Sequence, residues 1–276
     1  MKIDENTNAI VIGGGGAIGR GTALGLARRG AKVVIADIEL DSAEEVAAEL
    51  VAKGGEALAV RVDATDESSI VALADRAEVA FGEITLLSNN VGVVVVERVL
   101  DADDAMWGWA IEFNLMSIVR CCRVIAPRMC AHGRAGHVVN TASMAGLWAS
   151  KPEEVGGVNL GLYTATKYAV VGYTETLRGE LADHNIGVSV LCPGTVDSDL
   201  MATSLRNRPE RYGGPEVIGQ TKGMVPHAMS SDEVGAYVLA GIEANRMHIL
   251  THQIGRKFVD QRYETVTKDF DFYAEL

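Results

Sequence analysis

Short Val- and Ile-rich runs alternate with longer stretches that carry apolar residues at helical spacing, and this order repeats through most of the chain. A strand-then-helix repeat of this kind is satisfied by parallel strands joined through crossover helices, because two parallel neighbours cannot be linked by a tight turn. The runs VVIA, ITLL, HVVN and VSVL are continuously apolar rather than alternating. Strands read that way when both of their faces are covered. The expectation is an α/β fold in one domain over 1–276: a doubly wound parallel sheet with helices on both faces.

The periodicity predicts strands over about 9–12, 32–36, 57–62, 84–88, 136–140, 187–191 and 247–251. Helices are expected over about 18–29, 41–53, 66–81, 101–130, 161–183 and 231–245, several of them stopped by glycine. Two stretches break the pattern. Residues 195–230 look irregular, with Arg206, Asn207, Arg208 and Pro209 in sequence, and are too long for a plain connector, so they are read as a lid. Residues 252–276 form a charged tail with Phe258, Tyr263, Phe270, Phe272 and Tyr273, expected over a pocket or against a neighbouring subunit.

Charge narrows the partners. With 25 basic against 37 acidic residues the net charge is −12, which disfavours a surface built for nucleic acid or anionic lipid and favours a small-molecule partner. No apolar run reaches the roughly 18 residues of a membrane helix, and the N-terminus lacks the basic region and cleavage site of a signal peptide. Cys121, Cys122, Cys130 and Cys192 follow no disulfide or zinc spacing, and the six histidines form no HxxxH or HExxH pair, so no metal is expected. A reducing cytoplasm is the expected compartment.

Between the first strand and first helix stands Ile12-Gly13-Gly14-Gly15-Gly16-Ala17-Ile18-Gly19. A dinucleotide pyrophosphate in such a Rossmann-like turn sits against free helix N–H groups, and glycine lets the backbone approach it. Gly13, Gly16, Ala17, Ile18 and Gly19 are the candidate contacts. Asp37 ends the second strand about 20 residues on, where a carboxylate can accept hydrogen bonds from ribose hydroxyls. Asp37 would repel a 2′-phosphate, and neither Gly14–Gly16 nor the adjoining Ile38 offers a compensating cation. NAD is the expected cofactor.

Tyr163 and Lys167, four apart on a helix, share a face. A nearby ammonium favours phenolate, so Lys167 is expected to lower the Tyr163 pKa and let the phenol exchange a proton with an alcohol or ketone.

Taken in order, the turn at 12–19, Asp63-Ala64-Thr65-Asp66, Asn89-Asn90-Val91-Gly92, Asn114 in FNLMS, Ser143 in VVNTASMAG, Tyr163-Thr164-Ala165-Thr166-Lys167 and Pro193-Gly194-Thr195-Val196-Asp197-Ser198 resemble the motifs of the short-chain dehydrogenase/reductase family. The resemblance runs from about residue 7 to 200 and departs from the family's glycine turn at Ile12 and Ala17. It implies Tyr163 as general acid/base, Lys167 on the nicotinamide ribose and Ser143 on the substrate oxygen. Asn114 would position a water linking Lys167 to solvent. Asp63 and Ala64 would meet the adenine, Asn90, Val91 and Gly92 would line the cofactor, and the Pro193–Gly194 turn with Val196 and Ser198 would face the nicotinamide carboxamide. Family members are usually dimers or tetramers, so a homodimer or homotetramer is implied, with contacts near 107–130 and 161–183.

For the substrate, Trp148 and the lid residues Met201, Leu205, Tyr212 and Met224 are expected to wall an apolar pocket suited to a bulky, aromatic secondary alcohol or ketone. The interval between Ser143 and Tyr163 also carries an added stretch at 151–157. Residues 207–214 and 247–252 look like segments of the Cα-dehydrogenases that oxidise benzylic alcohols in bacterial lignin β-aryl-ether breakdown. Two other readings stay open at this point: a non-catalytic dinucleotide sensor, and an epimerase or dehydratase that uses transient oxidation.

Overall fold

A computed structural model describes residues 1–151, 157–225 and 227–274. Seven parallel strands form one sheet in the order β3-β2-β1-β4-β5-β6-β7. They are β1 Asn8–Ile12, β2 Lys32–Asp37, β3 Ala57–Arg61, β4 Leu86–Asn89, β5 Gly136–Thr141, β6 Ile186–Cys192 and β7 His248–Leu250. The chain winds outward from β1 to β3 on one side and then restarts at β4 on the other, so the strand order reverses between β1 and β4. Ile12 pairs with Asn89 there, which brings the C-terminal ends of both strands level and opens a crevice above them.

The helices are α1 Ala17–Arg28, α2 Leu40–Ala52, α3 Glu67–Phe81, α4 Asp104–Ile111, α5 Ser117–His132, α6 Gly161–Leu181, α7 Leu200–Arg206, α8 Ser231–Glu243 and α9 Arg256–Ala274. Both sheet faces are covered. Leu24, Val46, Leu50, Val234 and Val238 of α1, α2 and α8 close one core against Val11, Val33 and Ile35. Ile70, Ile118, Ile125, Val170 and Leu177 of α3, α5 and α6 close the other against Ile10, Val34 and Val138. Helices α1 and α8 approach so closely that a Cβ on Gly21 would lie 1.8 Å from the Ser231 carbonyl oxygen, which is why glycine stands there.

Three regions differ from the sequence expectation. The long helix over 101–130 is α4 and α5 joined by a single π-helical turn, Glu112–Met116. A π turn acts as one extra residue in the helix, and a single such shift of phase is hard to tell from ordinary irregularity in the apolar spacing. The lid is not irregular throughout: α7 lies inside it and the Glu210–Tyr212 turn is 3-10 helical. The tail is the helix α9, with no buried residue; its apolar positions are too few to declare a core-facing stripe. Of the added stretch at 151–157, residues 152–156 lie outside the described residues.

Candidate active site

The loops at the C-terminal ends of the strands enclose one cavity of about 1860 Å³. That exceeds the usual span of a single small-ligand pocket, roughly 300–1,000 Å³, and leaves room for a dinucleotide beside a substrate. The residues expected to bind the cofactor line this cavity, from Gly13, Gly16, Ala17, Ile18 and Gly19 through Asp37, Ile38, Asp63, Ala64, Asn90, Val91 and Gly92 to Pro193, Gly194, Val196 and Ser198, and so do Trp148 and Met201 of the expected substrate pocket. Asn114 does not line it. It lies fully buried behind Gly92.

The glycine turn leaves the strand through Gly13, whose φ of +70° is left-handed backbone that a side chain would strain. A Cβ on Gly19 would sit 2.2 Å from the Gly13 carbonyl oxygen, so this position is closed to any other residue. Ala17, which replaces a family glycine, is the first residue of α1, where a methyl group is tolerated. Among the described residues no side chain caps the start of α1, leaving the first-turn N–H groups to the cavity. Asp37 is held in place by backbone: one carboxylate oxygen accepts from Gly15 N–H at 3.0 Å and the other from Glu39 N–H at 3.1 Å. Burial nevertheless pushes its pKa above the usual carboxylate range. A buried carboxylate with lone pairs to spare, beside an uncapped helix start, fits the ribose and pyrophosphate of a dinucleotide.

Asn90 ties three strand ends together, donating to the Ile12 carbonyl at 3.1 Å and accepting from Thr141 Oγ1 at 2.9 Å. The π turn aims Asn114 inward. Its Oδ1 accepts from Val93 N–H at 2.7 Å, and its Nδ2 donates to the Val93 carbonyl at 3.0 Å and to Thr166 Oγ1 at 3.1 Å. Asn114 therefore clamps the segment after β4 onto α6, and Gly92 is the only residue small enough to pass between: a Cβ there would lie 2.9 Å from Asn114 Oδ1 and 3.2 Å from Lys167 Nζ.

Ser143, Tyr163 and Lys167 meet at the floor of the cavity. The Ser143 hydroxyl accepts from Ala145 N–H at 3.1 Å and hydrogen-bonds the Tyr163 phenol. Lys167 Nζ donates to the Thr141 carbonyl at 3.1 Å and lies 5.5 Å from the Tyr163 ring centre. Burial pulls the Lys167 pKa down to about 8. Burial raises the phenol above its ordinary value, and the group that opposes this is the Ser143 hydroxyl. The ammonium donates to the Thr141 carbonyl and keeps its charge beside the Tyr163 ring.

Trp148 forms one wall and stacks on Phe258 of α9, ring centres 5.1 Å apart. Met201 and Met224 also line the cavity, but Leu205 and Tyr212 do not. Those two pack instead with Trp109, Met106 and Trp107 of α4. Of the tail aromatics Phe258 reaches the cavity, while Tyr263, Phe270, Phe272 and Tyr273 are exposed. Sequence reasoning missed His252, whose Nδ1 accepts from Gly194 N–H at 3.1 Å and fixes the turn after β6. It also missed Glu39, which lines the Asp37 end of the cavity together with the lid residues Arg206 and Asn207. Asn207 and His252 lie in segments that the sequence singled out, but only the return of the chain from distant positions shows what they touch. No group of His, Cys, Asp or Glu that could hold a metal ion occurs among the described residues.

Residues 7–209 match the model of the short chain dehydrogenase family. The probable oxidoreductase EphD of Mycobacterium tuberculosis is 34% identical over 199 residues, covering 72% of this chain; the chain spans about a third of that longer protein, 32%. The C alpha-dehydrogenase of Sphingobium is 29% identical over 96% of this chain and 87% of its own. A short chain dehydrogenase/reductase from Burkholderia phymatum, solved in complex with NAD, superposes with a TM-score of 0.87 at 31% identity over 98% of this chain and 97% of its own. The fold is thus shared along nearly the whole length, and the chain belongs to the short-chain dehydrogenase family.

Proposed function

We propose that this chain is an NAD-dependent oxidoreductase that interconverts a secondary alcohol, bulky or benzylic, and the corresponding ketone. The observation that carries the reading is the meeting of Ser143, Tyr163 and Lys167 on the floor of a cavity whose other end holds Asp37 and the uncapped start of α1. A sensor has no use for a buried phenol beside a serine hydroxyl, and an epimerase or dehydratase has no particular support in the site. NAD bound in this cavity supplies a hydride acceptor. Gly13, Gly16, Ala17, Ile18 and Gly19 would hold its pyrophosphate, Asp37 and Ile38 its ribose, Asp63 and Ala64 its adenine, and Val196 and Ser198 its carboxamide. The Asp37 carboxylate disfavours a 2′-phosphate by like charge and desolvation.

The protein's own part is positioning and one proton path. Ser143 donates to the substrate oxygen. Tyr163 Oη takes the hydroxyl proton as the alcohol becomes a ketone and returns it in the reverse direction. Lys167, held by the Thr141 carbonyl, would bond the nicotinamide ribose, and Asn114 fixes the Val93 backbone and Thr166 beside it. Apolar walls from Trp148, Phe258, Leu160, Met201 and Ile254 exclude water and favour a large hydrophobic substrate. The benzylic preference draws support from the relationship to the Sphingobium C alpha-dehydrogenase. A homodimer or homotetramer in a reducing cytoplasm completes the reading.

The test is NADH formation at about 340 nm across benzylic, alicyclic and steroidal secondary alcohols, with NAD and NADP in parallel. Turnover with NAD on bulky alcohols is expected. Cofactor binding without turnover on any alcohol, or on the matching ketones with NADH, refutes it.

A further inference from the structure

The lid does more than face the substrate end. After α7 it runs across the cavity to the adenosine end, where Arg206 meets Glu39 side by side: Nε donates to Oε1 and Nη2 to Oε2, each at 2.9 Å. Asn207 Nδ2 adds a third bond to Glu39 Oε1 at 3.2 Å. Glu39 stands two residues beyond Asp37, just before α2, so a lid residue is fastened directly to the turn expected to carry the ribose. The far end of the segment is fastened as firmly. Arg208 donates to the Gly214 carbonyl at 2.7 Å and lies over the Trp109 ring at 5.5 Å, and Tyr212 fills the notch left by Gly108, where a Cβ would be 3.0 Å from its ring. Between these anchors Arg206, Asn207, Pro209 and Arg211 face the same cavity as Asp37 and Asp63.

The geometry points to residues 206–212 as a strap over the adenosine half of the cofactor, latched by Glu39, so that the dinucleotide leaves only when the Glu39–Arg206 pair opens. This rests on the reading of the cavity as a NAD site. Arg211, within electrostatic reach of Asp63, extends the same crossing toward the adenine pocket. The pair is two-pronged and reinforced by Asn207, yet it lies at the rim of the cavity, with the Arg206 side chain 48% exposed. Its strength is thus that of a latch rather than a permanent tie. A parallel, paired-oxygen geometry also makes it specific: a lysine at 206 could not reproduce both bonds.

The experiment uses the whole chain. NADH release is followed by stopped-flow fluorescence after displacement with excess NAD, and NADH affinity by calorimetry, for wild type, Glu39→Gln, Arg206→Ala, the double variant, and the exchange Glu39→Arg with Arg206→Glu. Each single substitution is expected to speed release about 1.5- to fivefold, the range for loss of one rim ion pair. The double variant is expected to release NADH no faster than either single one, and the exchange to restore much of the wild-type rate. Unchanged release in both single variants overturns the latch, whether or not their melting temperatures fall. Additive effects in the double variant overturn it equally. Failure of the wild type to bind NADH removes the cofactor reading itself, an outcome separate from the other two.

Discussion

Acid should destabilise this protein through one histidine far from the active site. His137 lies in β5 with no exposed surface, and its Nε2 is 2.8 Å from Ser189 Oγ. Ser189 Oγ in turn donates to the Arg246 carbonyl at 2.6 Å, so its oxygen accepts from the ring and the proton sits on Nε2. Nδ1 has no partner among the described residues, and the space beside it is closed: a Cβ on Gly187 would come within 2.4 Å of it. Burial above all, with the chain N-terminus and Arg178 adding like charge, pulls the His137 pKa down to about 3. An unfolded histidine titrates near 6.5, so between those values the unfolded chain binds a proton that the native one refuses. Stability therefore falls with falling pH across that window, and the integrated loss from about pH 7.5 to about pH 5 is about 2 kcal/mol. Carboxylates titrate in the same range, so wild type is compared with His137→Gln, whose amide can still donate to Ser189. Urea unfolding followed by circular dichroism should show wild type losing about 2 kcal/mol more than the variant over that interval. Parallel pH dependences for the two proteins would refute the buried neutral ring.

Other expectations bear on the site. Gly92→Ala should leave the fold intact but lower turnover about tenfold or more, because the added methyl pushes on Asn114 and Lys167 together; an undiminished kcat in steady-state assays would mean that Asn114 is not a fixed clamp. Alcohol oxidation needs a deprotonated phenol, and burial holds the Tyr163 pKa above its ordinary value, so the rate should keep rising with pH on the alkaline side; a rate already level at neutral pH would contradict this. Ser143→Ala removes the hydrogen bond that favours phenolate, so the residual activity of that variant should rise only at higher pH; an unmoved profile contradicts the assignment. Trp148→Ala should raise KM for bulky alcohols several-fold, about 1 kcal/mol of lost stacking and contact, with less effect on small ones. Equal KM values across the panel would remove Trp148 from the pocket.

Much of this architecture was legible in the sequence. Buried parallel strands announce themselves as unbroken apolar runs, and the glycine turn, Asp37 and the Tyr163–Lys167 pair lie close together along the chain, where spacing can be read. What was hidden depends on contacts between distant positions. Nothing near Phe258 marks it as the partner of Trp148, and Glu39 reads as a solvated charge until Arg206 returns to it. The π turn was hidden for another reason: it shifts the phase of the helix by a single residue, too small a change to read from apolar spacing, although Asn114 lies within it. Sequence spacing places Lys167 on the same helix face as Tyr163 but does not show that its ammonium also donates to the Thr141 carbonyl.

The central claim is proton exchange at the Tyr163 phenol beside a bound NAD. Its most direct test is Tyr163→Phe, assayed for NADH formation on the best alcohol substrate and for NAD affinity by calorimetry. NAD binding close to that of wild type with turnover reduced at least about a hundredfold is the predicted result, since general acid/base catalysis contributes at least that much. Full turnover in the variant would contradict the mechanism.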